Sequence, residues 1–436
     1  MQCHCKLLIY LFAVILHVEE YNPWWLNEPD PFYEKWAESK VKWIPSVIEE
    51  FSFEPYALHF FIGPRQVGKT TTLKIIIHNL LKTRDPRSIF YYSCDELLDY
   101  RELGEILDNY LSARREWGIE SSIIFLDEIT FVNEWYRALK SRIDRGLFSK
   151  DVIVVTGSAS LELMAGKERF PGRRGFGKDI YMMPLSFREY LLNFSKLEIQ
   201  GAKIDNLNEL MKKIKANTLF SKTISIFFEK YLKTGGFPIP IKEYFERGKV
   251  THVSQKTYLD WLKADWIKAG KSENYMKEII SYLLEAGTVP VSWHTISKNT
   301  SISSPHTVRE YIELLENLLV LKVLYWTSPS GQIDYRKSKK IIFIDPFLYQ
   351  IFSSYTKVEV NETVVVEATV AAHLARVKSV YYWKNKTEVD VVILDGKPLG
   401  FEVKWTRRPK FGRKPIQTYV LGKNQIPLFL ASLITQ

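Results

Sequence analysis

The first part of this sequence is organised around one stretch, Gly63-Pro64-Arg65-Gln66-Val67-Gly68-Lys69-Thr70. It fits the pattern G-x-x-x-x-G-K-[ST], in which a glycine-containing loop joins a strand to a helix. The flanking residues agree with that pattern, because the apolar run Ala57–Ile62 precedes the loop and a helical periodicity from Leu73 to Leu81 follows it. We therefore predict a strand, a tight loop and a helix in this order.

A loop of this kind is suited to a phosphate chain. Its glycines let backbone N–H groups turn toward phosphate oxygens, and the helix directs its positive N-terminus at the same anion. Lys69 can reach the β- and γ-phosphates, and the Thr70 hydroxyl can ligate Mg²⁺. We predict that ATP and Mg²⁺ bind here. The residues expected to contact the nucleotide are Gly63, Pro64, Arg65, Gln66, Val67, Gly68, Lys69, Thr70 and Thr71.

Two adjacent carboxylates follow the apolar run Ser122–Leu126, namely Asp127 and Glu128. In enzymes with a phosphate loop, an Asp at this position holds Mg²⁺, often through water. A Glu beside it can orient and activate the attacking water, which favours hydrolysis over binding alone. The alternative is structural: Asp127 caps a helix and Glu128 is an acid in its first turn.

Two further segments are candidates for contact with the γ-phosphate. The run Val152–Thr156 ends just before Ser158, which we predict to sense that phosphate, with a simple turn as the alternative. Arg173 and Arg174 lie in a basic loop, and either guanidinium is a candidate to reach the γ-phosphate of a neighbouring subunit. This second hypothesis predicts a homo-oligomer, and the alternative is a solvated basic loop.

Composition predicts a folded protein rather than a disordered one. The 436 residues are 46% hydrophobic and 25% charged, and a chain of this length predicts about two to four domains. The net charge of +10 favours nucleic acid or an anionic membrane surface as a partner. Six basic residues and no acidic one lie between Lys404 and Lys414. Three cysteines form no disulfide framework, so we expect a reducing, cytoplasmic location.

The apolar run Leu7–Leu16 is about half the length needed to cross a bilayer. It can be interpreted as a packed helix, as a segment upstream of the true start, or as a membrane tether. We favour the first two interpretations, and no later stretch is apolar over a sufficient length, so we do not expect a membrane partner.

The chain divides into five regions by pattern. After an apolar segment at residues 1–20, residues 21–181 alternate strand-like and helical runs, which predicts an α/β domain with a parallel sheet. Residues 182–289 are mostly helical. Residues 290–328 predict a helix, a turn, a second helix and a strand, and residues 335–436 mix strands with one helix. The predicted strands of the α/β region are Ala57–Ile62, Ser88–Ser93, Ser122–Leu126 and Val152–Thr156.

The pattern at residues 290–328 is that of a helix-turn-helix followed by a strand. Such a motif places the start of its second helix in the major groove of DNA. The side chains at that position are those of His306, Thr307 and Arg309. The alternative is a packing module that closes the helical region or mediates oligomers.

A hairpin is predicted in the last region, from Glu388–Leu394 and Leu399–Trp405 with Asp395–Pro398 between them. A three-residue loop places Asp390 directly opposite Glu402, with Lys404 on the same face. Upstream, Glu367 lies in a helical pattern.

Taken together, these motifs resemble a widespread prokaryotic family of predicted AAA+ ATPases near the origin-recognition ATPases. The resemblance implies a P-loop AAA+ core, a helical lid, a winged helix and a C-terminal α/β domain of restriction-endonuclease-like fold. It covers nearly the whole chain after the first twenty residues. The matching features are Asn22-Pro23-Trp24-Trp25, Gly63 to Thr70, Leu126-Asp127-Glu128, Thr156-Gly157-Ser158, Gly172-Arg173 and Pro184-Leu185-Ser186-Phe187-Arg188-Glu189-Tyr190.

The resemblance also implies a role for the last region, because Glu367, Asp390, Glu402 and Lys404 match its metal-nuclease pattern. Asp390 and Glu402 would hold Mg²⁺, and Lys404 would stabilise charge or help to deliver water. The alternative is an inactive nuclease-like scaffold with a surface Glu–Lys pair.

Two functions remain open at this stage. The first is an ATP-hydrolysing enzyme that acts on DNA, with or without cleavage by the C-terminal carboxylates. The second is a nucleotide-dependent regulatory switch or assembly protein whose nuclease-like domain only binds.

Overall fold

The computed structural model describes residues 18–157, 163, 166–408 and 412–435. The chain divides into two units, the first ending at Met182 and the second beginning at Met183. This break lies one residue from the predicted end of the α/β region at residue 181. The run Leu7–Leu16 and Ser158 lie outside the described residues, so the predictions made for them stay predictions.

A five-stranded parallel sheet forms the centre of the first unit, with strand order β2-β3-β4-β1-β5. The predicted α/β class and the four predicted strands are confirmed, each within one residue of its expected bounds, and β5 is an addition. The strands are β1 (Ala57–Ile62), β2 (Ile89–Ser93), β3 (Ile123–Asp127), β4 (Val152–Thr156) and β5 (Asp179–Tyr181).

The central strands are buried along their whole length because helices cover the sheet. The helices described in this unit are α1 (Pro31–Ala37), α2 (Lys69–Leu80), α3 (Tyr100–Glu116) and α4 (Tyr136–Asp144). Parallel strands end at the same edge of a sheet, so β1, β3 and β4 bring their carboxyl ends together.

The Asn22–Trp25 motif covers the outer edge of the sheet. The Asn22 side chain pairs with the backbone of Tyr91 in β2, donating to its carbonyl at 2.9 Å and accepting from its N–H at 2.7 Å. The indole N–H groups of Trp24 and Trp25 both donate to the carbonyl of Ile89 at 3.0 Å. These bonds use backbone groups that an edge strand would otherwise leave unpaired, so the motif has a structural role.

A mixed sheet organises the second unit, with order β12-β11-β10-β9-β6-β7 and β8 paired to β6. The strands are β6 (Leu321–Thr327), β7 (Ile333–Asp334), β8 (Lys340–Phe343), β9 (Val380–Lys384), β10 (Glu388–Asp395), β11 (Lys397–Lys404) and β12 (Gln417–Gly422). Its described helices are α5 (Phe187–Phe194), α6 (Leu207–Asn217), α7 (Ser221–Thr234), α8 (Pro238–Arg247), α9 (His252–Lys268), α10 (Glu273–Ala286), α11 (Trp293–Lys298), α12 (Pro305–Asn317), α13 (Pro346–Thr356), α14 (Glu362–Ala375) and α15 (Gln425–Ser432).

The strand that follows the predicted helix-turn-helix also belongs to the large sheet. β6 pairs in parallel with β9 through Tyr325–Tyr381 and Trp326–Tyr382. The expected division between regions 290–328 and 335–436 therefore cuts through one sheet. Sequence patterns could not reveal this pairing, because its partners lie far apart in the chain.

The Pro184–Tyr190 stretch is a structural anchor of the second unit. Ser186 and Glu189 form a capping box that starts α5. The Arg188 guanidinium donates to the carbonyls of Ile199, Gln200 and Ala431. These bonds tie the start of the unit to the last helix, which explains why so particular a sequence is found here.

No helix within the described ranges combines enough length with enough apolar character to cross a membrane.

Candidate functional site

The loop between β1 and α2 is tightly curled rather than extended. Gln66 and Gly68 have positive φ values of +57° and +107°, which turn the backbone back on itself. A Cβ atom added at Gly63 would lie 2.4 Å from the carbonyl oxygen of Met182, so only glycine fits there. The loop thus has the geometry expected of a phosphate cradle, and α2 begins at Lys69.

Lys69 is buried, with 6% of its surface exposed. Its ammonium group donates to the carbonyls of Gly63 at 3.0 Å and Pro64 at 3.1 Å. The positive charge is therefore held against the backbone of the loop itself, within reach of any anion that the loop binds.

Thr70 and Asp127 meet at the carboxyl edge of the sheet. The Thr70 hydroxyl donates to Asp127 Oδ2 at 2.6 Å, and the hydroxyl of Tyr91 donates to the same oxygen at 3.0 Å. Burial raises the pKa of the Asp127 carboxyl, although the bond from Thr70 opposes this. A hydroxyl and a carboxylate in contact are the hard oxygen donors that Mg²⁺ prefers, so these residues fit that ion.

Tyr91 was absent from the predictions. It lies on β2 beside β3, where Ser93 pairs with Asp127. No motif links a tyrosine at this position to the phosphate loop, and only the strand order brings its hydroxyl to Asp127.

Glu128 has a left-handed backbone, with φ of +53°. It occupies the N-cap position of a short 3-10 helix, Ile129–Phe131, but its side chain makes no capping bond. The Asp127 side chain accepts from the Glu128 N–H at 3.1 Å through Oδ1, while its Oδ2 accepts from Thr70 and Tyr91. Within the described residues, the buried oxygens Glu128 Oε2, Thr130 Oγ1 and Thr156 Oγ1 have no hydrogen-bond partner. Buried polar atoms are rarely left unpaired, and a bound polar ligand would account for these.

Both candidate arginines form ion pairs within the first unit. Arg173 Nε lies 2.6 Å from Asp144 Oδ1, and Arg174 lies 2.7 Å from Asp179 Oδ1. Arg174 also lies over the ring of Phe60, 4.8 Å from its centroid. A role for either residue toward another subunit stays a prediction and requires its present ion pair to break.

The predicted hairpin register holds in β10 and β11. Val391 pairs with Phe401, and the same register places Asp390 opposite Glu402. The Val403 N–H donates to Asp390 Oδ2 at 2.8 Å. The turn is centred on Gly396, because Leu394 pairs with Pro398 and Asp395 with Lys397. Gly396, with φ of +73°, permits this turn.

A buried lysine, Lys340, lies among the C-terminal carboxylates. The sequence did not predict a role for it. Lys340 is 1% exposed, and its Nζ lies 2.7 Å from Glu367 Oε1, 2.8 Å from Glu388 Oε1 and 3.5 Å from Asp390 Oδ1. Burial by itself lowers the pKa of Lys340, but the three carboxylates outweigh it, so the pKa is raised and the lysine stays protonated.

Glu402 is also paired with lysines. Its two carboxylate oxygens lie 2.9 Å from Lys404 Nζ and 3.1 Å from Lys414 Nζ. Partial burial lowers the pKa of Lys404, but the bond to Glu402 and the nearby carboxylates more than offset it, so this pKa is raised. Throughout the described ranges, no three His, Cys, Asp or Glu side chains are grouped so that they could hold a metal ion. Glu402 is held by two ammonium groups and Asp390 lies beside Lys340, so Mg²⁺ binding by Asp390 and Glu402 stays a prediction that requires these contacts to change.

The predicted DNA-contacting residues lie at the start of α12. His306 and Arg309 are exposed, and Thr307 is half-buried. Arg309 Nε pairs with Glu313 at 2.6 Å, and His306 Nδ1 lies 3.3 Å from Glu310. After β6, the chain turns at Gly331 into β7 and reaches the exposed residues Tyr335, Arg336 and Lys337. Arg336 and Lys337 are therefore two exposed basic residues that follow β7.

Two segments of the chain match known protein families. Residues 56–191 match a family described as an AAA domain. The first unit has the P-loop AAA+ fold. Residues 227–358 match a second family, described as a domain of unknown function (DUF8612). The AAA domain thus includes the phosphate loop, both carboxylates and the two candidate arginines.

The chain is similar to "Uncharacterized protein MJ1637" of Methanocaldococcus jannaschii, with 28% identity over 312 residues. This similarity covers 65% of the chain and 59% of that relative, which is less than two thirds of its length.

Solved structures with a similar arrangement include the Walker-type ATPase PABY2304 of Pyrococcus abyssi. The TM-score is 0.42 at 12% identity, covering 68% of this chain and 91% of that one. For ORC2 of Aeropyrum pernix the TM-score is 0.35 at 10% identity, and the match covers 69% of this chain and 88% of that one. For RuvB of Thermotoga maritima, a Holliday junction branch migration motor, the TM-score is 0.29 at 17% identity, and the match covers 72% of this chain and 91% of that one. At these scores the likenesses assign no function to this chain.

Proposed function

We propose that the AAA domain binds ATP with Mg²⁺ and hydrolyses it. The observation that carries this proposal is the 2.6 Å contact between Thr70 and Asp127 beside the curled loop and its buried lysine. A hydroxyl, a carboxylate and an ammonium are thereby gathered at one helix N-terminus. This is the set of groups that a nucleoside triphosphate and its metal require.

In this proposal each side chain has a separate task. Lys69 exchanges its bonds to the Gly63 and Pro64 carbonyls for bonds to phosphate oxygens, and the loop amides bind the remaining phosphate charge. Thr70 and Asp127 would hold Mg²⁺, which when bound neutralises charge on the phosphates. Tyr91 keeps the Asp127 carboxylate oriented through its hydroxyl.

Glu128 is the group that we assign to the attacking water. Its Oε2 has no bond within the described residues, so it can accept a proton or a water without breaking an existing contact. Thr156 lies at the end of β4, and its hydroxyl has no partner in the part of the chain that the structure describes, so it joins Ser158 as a candidate for sensing the γ-phosphate.

We expect Glu128→Gln to lower ATP turnover by roughly 10²–10⁴-fold while leaving ATP binding nearly intact. The amide keeps the size and hydrogen-bonding ability of the side chain but cannot take the proton. Phosphate release and the binding of a fluorescent ATP analogue measure the two properties separately. Glu120→Gln is the matched control, since Glu120 is an exposed residue of the same unit paired with Lys150. Unchanged turnover in Glu128→Gln would remove this residue from the mechanism.

We further propose that the second unit contacts DNA through α11 and α12, and that the AAA domain assembles into a homo-oligomer with Arg173 or Arg174 reaching a neighbour. The exposed His306 and Arg309 at the start of α12 and the net charge of +10 support contact with a polyanion. The basic residues after β7 would lie against the phosphate backbone.

For DNA binding we expect Arg309→Ala to raise the Kd about tenfold or more. Arg247→Ala is a closely matched control, because Arg247 is also exposed and also pairs with a glutamate four residues away, at 3.7 Å. Fluorescence anisotropy with a labelled duplex, repeated at two salt concentrations, measures both effects. An equal loss of DNA affinity in both variants would show that Arg309 contributes only its positive charge and makes no specific contact with DNA.

Cleavage by the C-terminal carboxylates is the weaker of the two candidates for that region. The ion pairs of Lys340 and Glu402 favour the alternative, a nuclease-like scaffold that binds without cutting and serves a nucleotide-dependent switch or assembly. Incubation with supercoiled plasmid and Mg²⁺ or Mn²⁺ tests this choice. Nicking that disappears in Asp390→Ala would restore the nuclease candidate.

A further inference from the structure

We propose that Lys340 is a built-in counter-ion whose ammonium group takes the place of a divalent metal ion among Glu367, Glu388 and Asp390. The C-terminal cluster would then be complete without a metal. The cluster takes no part in the proposed ATP chemistry, so a test of Lys340 is independent of a test of ATP hydrolysis.

The ammonium group of Lys340 lies deep among carboxylates. Lys340 lies on β8, and every residue of that strand is buried. Its Nζ reaches one carboxylate oxygen from α14 at 2.7 Å and one from the first residue of β10 at 2.8 Å. A third oxygen, Asp390 Oδ1, lies 3.5 Å away, and the Asp390 backbone carbonyl lies at 3.4 Å. The nitrogen is thus surrounded by oxygens from two separate elements.

The ammonium of Lys340 occupies carboxylate oxygens that a metal among Glu367, Glu388 and Asp390 would also use. Mg²⁺ requires carboxylate oxygens at about 2.0–2.1 Å. Glu367 Oε1 and Glu388 Oε1 are already engaged by the ammonium, and the second oxygen of Asp390 accepts from the Val403 N–H at 2.8 Å. A metal bound to Glu367 Oε1 and Glu388 Oε1 would have to displace the ammonium, and Lys340 is too deeply buried to move into solvent without disturbing β8.

The negative and positive charges of the cluster are balanced. Four carboxylates occupy this part of the sheet, from Glu367, Glu388, Asp390 and Glu402. Four ammonium groups face them, from Lys340, Lys384, Lys404 and Lys414. Counted over the described residues, the cluster is therefore neutral. A divalent cation added beside Lys340 would bring like charges into contact in a buried site.

The experiment counts Mn²⁺ ions bound per full-length chain by electron paramagnetic resonance. It compares the wild type, Asp390→Asn, Lys340→Met and the double variant Lys340→Met/Asp390→Asn. Methionine keeps much of the length of the lysine but removes its charge. We expect the wild type and Asp390→Asn to bind equal numbers of ions, because the cluster takes none. Lys340→Met should gain one ion, and the double variant should lose it again.

Ions bound by the AAA domain are common to all four chains and cancel in the comparison. The proposal is overturned if Asp390→Asn binds fewer ions than the wild type, or if folded Lys340→Met gains none. If Lys340→Met does not fold, the comparison between the wild type and Asp390→Asn still tests the proposal. Equal Mn²⁺ binding by the wild type and Asp390→Asn upholds the proposal, and a loss in Asp390→Asn overturns it.

Discussion

Lys69→Ala should abolish ATP hydrolysis, with turnover lowered by at least roughly 10²–10³-fold, as expected when a preorganised group is removed from a developing charge. Lys69 is the buried cation of the phosphate loop, and its ammonium is already positioned by the carbonyls of Gly63 and Pro64. Without the Lys69 ammonium, only the loop amides and Mg²⁺ would stabilise the negative charge of the triphosphate. Both the affinity for ATP and the rate of phosphate release should fall, unlike the result expected for Glu128→Gln.

The control is Lys82→Ala. Lys82 is an exposed lysine just after α2 that bonds to Asn79 at 3.0 Å. It carries the same charge on the same segment without touching the loop. Circular dichroism of Lys69→Ala checks that the parallel sheet remains folded. If folded Lys69→Ala turns over ATP at the rate of the wild type, the nucleotide site lies elsewhere.

The second large effect concerns His373 and acid stability. His373 is buried on α14, where its Nδ1 bonds to the Thr369 carbonyl at 2.7 Å. Its Nε2 accepts from the Phe187 N–H at 2.8 Å, so the ring is held as the neutral tautomer protonated on Nδ1. Burial lowers the pKa of His373 to about 3. Phe187 belongs to the Pro184–Tyr190 anchor, so this bond holds the start of the second unit.

The direction of the pH effect follows from the depressed pKa. Below about pH 6.5 the unfolded chain takes up a proton that folded His373 cannot accept, so this stability is complete above that pH and is lost as the pH falls toward 3. Each pH unit within the window costs about 1.4 kcal/mol, which gives about 2 kcal/mol of unfolding free energy at pH 5.

The pH dependence of stability that Asp345 contributes has the opposite sign to that of His373, so the two contributions have to be measured separately. It is buried and accepts from the Gly236 N–H at 2.9 Å. Burial raises its pKa to about 6. Between about pH 6 and 4 folded Asp345 retains a proton that the unfolded chain loses, so its contribution improves stability as the pH falls. In the wild type the two effects largely cancel over this range.

A comparison of the wild type with His373→Gln isolates the histidine. Glutamine can also accept from the Phe187 N–H and donate to the Thr369 carbonyl, but it does not titrate. We expect the stability of the wild type relative to this variant to fall by about 2 kcal/mol between pH 7 and pH 5. Urea unfolding, with hydrogen exchange of α14 peptides assigning the transition, measures it. Parallel pH profiles for the two chains would contradict the assigned neutral state of His373.

Much of the AAA domain could be predicted because its signals are local. Each of the four predicted strands of the parallel sheet is a short, largely apolar run, and the loop from Gly63 to Thr70 places its glycines where the backbone needs them. The hairpin register that sets Asp390 opposite Glu402 followed from alternation and turn residues in one continuous segment. These features depend on neighbours within a few positions, so a sequence pattern contains them.

The partners of the charged groups could not be predicted in the same way. A metal site was predicted from three carboxylates, because the sequence did not show which cations pair with them. These carboxylates are those of Glu367, Asp390 and Glu402. Lys340 meets Glu367 across 27 residues and the backbone of Asp390 across 50. Tyr91 reaches Asp127 across 36 residues, through the order of strands in the sheet. No periodicity or motif in the chain links these pairs.

By itself, then, the sequence determined the phosphate loop, the strands around it and the face on which each C-terminal carboxylate lies. Backbone conformation and strand burial are set by glycine positions and apolar runs, and these act over a few neighbouring residues. Only the tertiary structure decided that β6 joins the C-terminal sheet and that a buried ammonium fills the carboxylate cluster. Charge pairing depends on distance in space, and that distance is known only once the strands are in place.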